Sequence, residues 1–139
     1  MRLLLDTHAW IWAVDPTAGA LAPEARKLLE DGSNDVLFSA ASAWEIAIKY
    51  ALGKLTLPAS PEDFLPQHVA RASMEWLPVL PVHALRVASL PRHHSDPFDR
   101  LLVAQALVED LALVTADARF TDYGVKIVPA GSSHPRSRT

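Results

Sequence analysis

The stretch "HHSDPFDRLLVAQALVEDLALVTAD", residues 93–117, decides the fold. Its "DPFDRLLVAQALVED" is the longest and most regular helical pattern in the chain, with Phe98, Leu101, Leu102 and Val108 on its buried stripe. Asp96 stands where an N-cap stands, and Pro97 where the first helical residue does. "LALVT" (Leu111 to Thr115) is a continuous apolar run, the mark of a strand covered on both faces of a parallel sheet. The segment also sets three aspartates, Asp96, Asp99 and Asp117, at the ends of these elements.

Outward from there, four more short segments read as strands: "RLLL" (Arg2 to Leu5), "DVLFS" (Asp35 to Ser39), "WLPVL" (Trp76 to Leu80) and "VKIV" (Val125 to Val128). Pro78 makes the third of the five, Trp76 to Leu80, an edge or irregular strand. Helical patterns lie between them. "PEARKLLEDG" runs from Pro23 to a stop at Gly32. "SAWEIAIKYALG" carries Trp44, Ala47, Ile48 and Ala51 on one stripe. "SPEDFLPQHVARAS" has a possible kink at Pro66, and "VHALRVASL" is short. Strands alternating with helices predict an α/β fold, a parallel sheet with helices on both faces. There is no internal repeat or linker, so residues 1–129 read as one domain and 130–139 as a flexible polar tail. Core packing is the default for Trp10, Trp12, Trp44 and Trp76.

A chain of 139 residues, half of them hydrophobic, can bury a real core without staples. With no cysteine, thiolate metal sites and cysteine nucleophiles are excluded, and a reducing cytoplasm is the default. Asp6 and His8 interrupt the N-terminal apolar run before it is long enough for a signal peptide, and nothing approaches membrane-spanning length. The net charge of −3 offers no global positive field, so a nucleic-acid partner would have to meet a local basic rim.

In open parallel sheets ligands bind beyond the carboxyl ends of the strands. Asp6 follows the first strand, Glu45 falls in the first turn of the helix after the second, Asp96 and Asp99 open the long helix, and Asp117 follows the fourth strand. Each has a plainer role to set against this. "SAWE" (Ser42 to Glu45) spells a capping box, Glu45 and Lys49 have ion-pair spacing, Asp99 is a dipole-favoured third position, and Asp117 can cap "ARFTDYG". Asp6 is harder to explain away, being enclosed by apolar residues with no basic neighbour in sequence. Two carboxylates about 5 Å apart repel by roughly 3 kcal/mol at an effective dielectric near 20. A converged cluster must therefore protonate or bind a cation, and all-oxygen ligands favour Mg²⁺ or Mn²⁺ over zinc. No two-histidine helical zinc spacing occurs, and His8, His93 and His94 are at most substrate contacts.

"LLLDTHAWIW", "SAASAWEIAIKYALGKL", "HHSDPFDRLLVAQAL" and "LALVTADARFTDYGV", taken in series, resemble the PIN-domain ribonucleases, specifically the VapC-type toxins of type II toxin–antitoxin pairs. The resemblance runs from Met1 to about Val128. It implies a PIN-like parallel sheet in an α/β/α sandwich, with an acidic pocket at one edge. It further implies that Asp6, Glu45, Asp99 and Asp117 are catalytic and hold Mg²⁺ (or Mn²⁺), Asp6 and Asp99 matching the usual ligands. Thr7 and Thr115 match supporting hydroxyl positions, and Asp96 belongs to the "DPFDR" form of the motif. Implied partners are RNA, a VapB-type antitoxin and a second copy of the chain in a homodimer, with no membrane.

The activity so implied is metal-dependent cleavage of RNA phosphodiester bonds by an activated water. Lys49, Lys54, Arg92, Arg100 and Arg119 lie near the acidic motifs and are candidate phosphate contacts, or else ordinary surface charge. Two competing readings keep the fold: a non-catalytic PIN-like binding module, and a housekeeping RNA-processing nuclease. A haloacid-dehalogenase phosphatase would need an aspartate at His8, and a response-regulator receiver an aspartate ending "WLPVLPV"; neither is there. Between Asp96 and Asp99, the caps divide the work: Asp99 as ligand, Asp96 chiefly as cap.

Overall fold

The computed structural model describes residues 1–92 and 96–133. In chain order the elements are β1 (Arg2–Leu5), α1 (Thr7–Val14), β2 (Gly19–Leu21), α2 (Pro23–Glu30), β3 (Asp35–Ser39), α3 (Ala40–Ala51) and α4 (Pro61–Arg71). They continue with β4 (Glu75–Leu77), α5 (Pro81–Arg86), α6 (Pro97–Glu109), β5 (Ala112–Thr115), β6 (Ile127–Pro129) and β7 (Gly131–Ser133). Two 3₁₀ turns, Val87–Ser89 and Ala118–Tyr123, follow α5 and β5.

Five strands form one sheet in the order β4-β3-β1-β5-β6, every pair parallel. The register aligns Leu5 with Phe38 on one side and Val114 on the other. Side chains alternate across the pleat, so Leu3, Leu5, Phe38 and Val114 pack on one face with Trp10, Ile46, Leu65 and Val69. Leu4, Leu37 and Leu113 pack on the other with Leu102, Val103, Ala106 and Phe120. Both faces are dry, as the continuous apolar runs predict, and the α/β/α sandwich follows.

The edges depart from expectation. β4 occupies Glu75–Leu77 and stops before Pro78, which lacks the N–H a longer strand would need. β4 is nonetheless an edge strand, as Pro78 predicts. β6 shifts to Ile127–Pro129, where its own edge position tolerates Pro129. β2 and β7, absent from the sequence reading, form a separate antiparallel ribbon. β7 and Ala130 fall inside the segment read as a tail: Ala130 is fully buried, with its N–H donating to the Thr115 carbonyl and its carbonyl accepting from Ala22. Gly131 makes this turn possible, since its φ of +125° excludes other residues. The remaining tail, 134–139, lies outside the described residues.

Two tryptophans leave the core. Trp10 and Trp12 are buried, but Trp44 is 62% and Trp76 43% exposed. The apolar stripe of α3 (Trp44, Ala47, Ile48, Ala51) faces outward, and its buried residues are Ala41, Ser42, Glu45 and Ile46. On α6, Phe98, Leu101 and Val108 are only half-buried, whereas Leu102 to Ala106 are fully enclosed. That helix is covered on more sides than a one-stripe amphipathic pattern assumes.

Candidate acidic site at the carboxyl edge of the sheet

The central strand β1 ends at Leu5, and Asp6 continues its ladder by donating its N–H to the Val114 carbonyl. The Asp6 side chain then turns back as N-cap of α1, accepting from the Ala9 N–H at 2.7 Å. Thr115, buried at the end of β5, hydrogen-bonds the same carboxyl. Asp6 is thus a cap as well as a buried acid. Burial raises its pKa, the Thr115 and Ala9 hydrogen bonds and the charge of His8 oppose that, and Glu45 adds to it.

Glu45 reaches the site from α3, but not from a capping box. Ser39 is the N-cap, its Oγ accepting from the Ala41 N–H at 3.0 Å, so Glu45 falls in the second turn. Ser42, the expected cap, is inside the helix and bonds the Thr7 hydroxyl at 3.0 Å, tying α1 to α3. Glu45 Oε2 meets Lys49 Nζ at 3.2 Å, the ion pair its spacing allows. Its Oε1 is buried with no hydrogen-bond partner among the described residues.

Asp96 caps α6, accepting from the N–H groups of Phe98 (2.8 Å) and Asp99 (3.3 Å). Asp99, one turn in, is half-buried, and its pKa is raised to about 7. Burial is the main cause, followed by the charges of Asp96, Glu45, Asp6 and Asp117. Asp117 caps the turn after β5 through the Arg119 N–H (3.0 Å) and takes the Arg119 guanidinium in a two-pronged pair at 3.0 and 2.8 Å. The Thr115 hydroxyl accepts from the Asp117 N–H at 3.1 Å, so one residue steadies both Asp6 and Asp117.

The fold therefore brings Asp6, Glu45, Asp96, Asp99 and Asp117 into one electrostatic neighbourhood. Among the described residues, no three of them close around a single point at metal-ligand spacing. The local partners say why: Asp6, Asp96 and Asp117 are turned to helix N-termini, and Glu45 to Lys49. The donor set still fits a hard divalent cation. It is all oxygen, it carries a buried Oε1 with no hydrogen-bond partner among the described residues, and burial together with the neighbouring carboxylates raises the Asp99 pKa.

The basic candidates divide. Arg100 donates to the carbonyls of Pro91 and Val87 at 2.9 and 3.1 Å, so it pins the segment before α6. Lys49 and Arg119 are paired within the site, and Lys54 and Arg92 are exposed. His93 and His94 lie outside the described residues.

Sequence reading missed Ser42 and, behind the site, a buried chain of polar groups. Ser39 Oγ donates to Gln105 Oε1 (2.6 Å), and Gln105 Nε2 donates to the Pro78 carbonyl (3.2 Å). His83 Nδ1 accepts from the Leu80 N–H (3.0 Å), which leaves Nε2 as the donor to Glu109 (2.8 Å). The one available signal was Gln105, a lone amide among the enclosed residues of α6. A cavity of about 470 Å³ opens elsewhere, at the opposite edge by Leu21, Leu29, Val36 and Met74, and no acidic-site residue lines it. We place the site by its carboxylates, since a cation and a phosphate need charge more than depth.

An α/β/α domain whose parallel sheet ends in a cluster of buried and half-buried carboxylates defines the class. The PIN domain family model matches residues 3–126, and the chain belongs to that family. A stretch of 60 residues is 43% identical to Ribonuclease VapC16 of Mycobacterium tuberculosis (strain ATCC 25618 / H37Rv), spanning 43% of this chain and 43% of that protein. In three dimensions the chain is similar to VapBC2 from Rickettsia felis, bound there to a DNA fragment from its promoter, with a TM-score of 0.69 and 16% identity over 94% of this chain and 99% of that one. DNA-bound VapBC from Salmonella typhimurium gives 0.65 and 19% over 92% and 97%. These likenesses bear out the predicted PIN-like fold and family.

Proposed function

We propose that this chain is the toxin of a VapBC-type pair, an endoribonuclease that hydrolyses RNA phosphodiester bonds with a divalent cation, Mg²⁺ or Mn²⁺. The observation that carries the reading is the carboxylate cluster, left with an orphaned buried oxygen on Glu45 and a proton held on Asp99 up to about pH 7. A domain of this size has roughly 5–15 kcal/mol of stability and gains none from such repulsion. The match to a ribonuclease of the family supports RNA as the substrate.

Asp6 and Asp99 are assigned as the principal ligands, with Glu45 and Asp117 completing the set directly or through water. A cation held there would supply positive charge to acidify a water and offset charge on the scissile phosphate. Glu45 Oε1, which has no hydrogen-bond partner among the described residues, is assigned to orient the attacking water and take its proton. Thr115 and Thr7 hold Asp6 and α3 in register for this. The proposed partners are a VapB-type antitoxin and a second copy of the chain. Among the described residues, no helix is long and apolar enough to cross a membrane.

The test is cleavage of an RNA panel by purified protein with Mg²⁺ or Mn²⁺, with chelator, and with Asp6→Asn. Cleavage should vanish with chelator and fall about a hundredfold or more in the variant, the scale for losing one charge-stabilising group. The cation should also raise the melting temperature of the parent. A variant that stays folded and cuts like the parent would sink the assignment.

A further inference from the structure

We propose that Trp44, braced by Phe98, is a stacking platform for an unpaired RNA base beside the bond that is cut; this rests on the ribonuclease reading above. The two rings meet edge-to-face with centroids 5.1 Å apart. Trp44 immediately precedes Glu45 on α3, and Phe98 immediately precedes Asp99 on α6, so the pair bridges the two helices that supply these carboxylates. Trp44 is 62% exposed, an unusual state for the largest apolar side chain, and the contact with Phe98 orders it without burying it.

Charge explains why the site needs such a platform. Of the five candidate cations near the acidic motifs, three are already engaged, Lys49 with Glu45, Arg119 with Asp117 and Arg100 with backbone carbonyls, and Lys54 and Arg92 stay exposed. An acidic pocket on a chain of net charge −3 repels a phosphate backbone before any cation is bound. An exposed aromatic face attracts bases without charge, and any unpaired base offers it a π-face. Ile48 and Leu52 extend the exposed apolar row along α3, at 37% and 63% exposure, and a docked protein helix would use them as fully as Trp44. The ring partnership with Phe98 sits at the end of α3 nearest the carboxylates and singles out Trp44.

The experiment compares kcat/KM of the parent, Trp44→Ala, Trp44→Phe, Ile48→Ser and Leu52→Ser on one single-stranded RNA that the parent cuts, with folding checked by thermal melting. Abasic substitutions scan the nucleotides flanking the cut. Trp44→Ala should lower kcat/KM about tenfold, mainly through KM, as loss of one stacked base does. Trp44→Phe should restore most of it, and Ile48→Ser and Leu52→Ser should leave cleavage unchanged. One abasic position should reproduce the loss, and combining it with Trp44→Ala should add nothing. A folded Trp44→Ala within twofold of the parent overturns the platform while the ribonuclease reading stands. So does a loss shared equally by Ile48→Ser and Leu52→Ser, which would mark a protein-binding face. A parent that cuts no RNA overturns both.

Discussion

Two buried polar clusters lie within this one domain and are finished differently. In the first, Ser39, Gln105, His83 and Glu109 pass hydrogen bonds from the end of β3 through α6 to α5. In the second, the carboxylates near the carboxyl edge of the sheet raise one another's charge cost, a Glu45 oxygen has no partner among the described residues, and Asp99 holds its proton up to about pH 7. Satisfied networks rigidify a fold, whereas unsatisfied ones cost stability and persist where a ligand completes them. The difference separates polar residues that build the scaffold from those proposed above to hold a cation.

Asp99→Asn tests the second cluster hardest. Cleavage should fall about a hundredfold or more, since the variant loses an anionic ligand. Stability should move the other way. The folded-state pKa of about 7 exceeds the ordinary 3.8, so the native state binds the extra proton between these values. Parent stability therefore falls as pH rises from 3.8 to about 7, and the lost contribution stays lost above that. Asp99→Asn should flatten this slope and gain about 1 kcal/mol at pH 8, allowing for solvent screening of a half-buried group. Urea unfolding of both proteins across this range reads it directly. A parent with no such slope would mean that the cluster is not repulsive.

Gln105→Leu tests the first cluster and should reverse the pattern. It strands the Ser39 hydroxyl proton and the Pro78 carbonyl in the interior, costing about 2 kcal/mol. The urea midpoint should fall at unchanged slope, with kcat/KM of the folded protein within a few-fold of the parent. An activity loss as deep as that of Asp99→Asn, in folded protein, would erase the line between the clusters.

The sequence was most legible where local pattern and tertiary role coincide. β1, β3 and β5 show as unbroken apolar runs because both faces of the sheet are covered. The edge elements are three-residue strands whose pairing is decided by partners far along the chain, as Gly19 with Ser133. For α3 the sequence pattern points to Ser42 as the cap, but Ser39 takes that role, and Ser42 lies inside the helix, bonded to Thr7, 35 residues away. Its outward apolar stripe misled for a related reason: the buried face carries Ser42 and Glu45 toward the acidic site. The carboxylates were visible as residues ending strands or opening helices. Thr115 was legible through the family resemblance as a supporting hydroxyl; that it bonds Asp6, and that Arg119 pairs with Asp117, shows only in the folded chain.

Asp96 and Asp99 bring the contrast down to one turn of α6. Asp96 is satisfied, accepting two backbone N–H groups, while Asp99 is crowded by neighbouring charge. Asp96→Ala removes a cap and should cost about 1 kcal/mol, with cleavage by the folded protein within about threefold of the parent. Asp96→Asn keeps the cap but deletes a charge, so it should be nearly as stable as the parent near neutral pH. Because the Asp96 charge is the second cause of the raised Asp99 pKa, both variants should lower that pKa. The pH window over which stability falls should then close from its upper end. An NMR titration of the Asp99 carboxyl in Asp96→Asn isolates this from the cap. An unmoved Asp99 titration would show that Asp96 is a cap and nothing more, and cleavage losses equal to those of Asp99→Asn would show that it is far more.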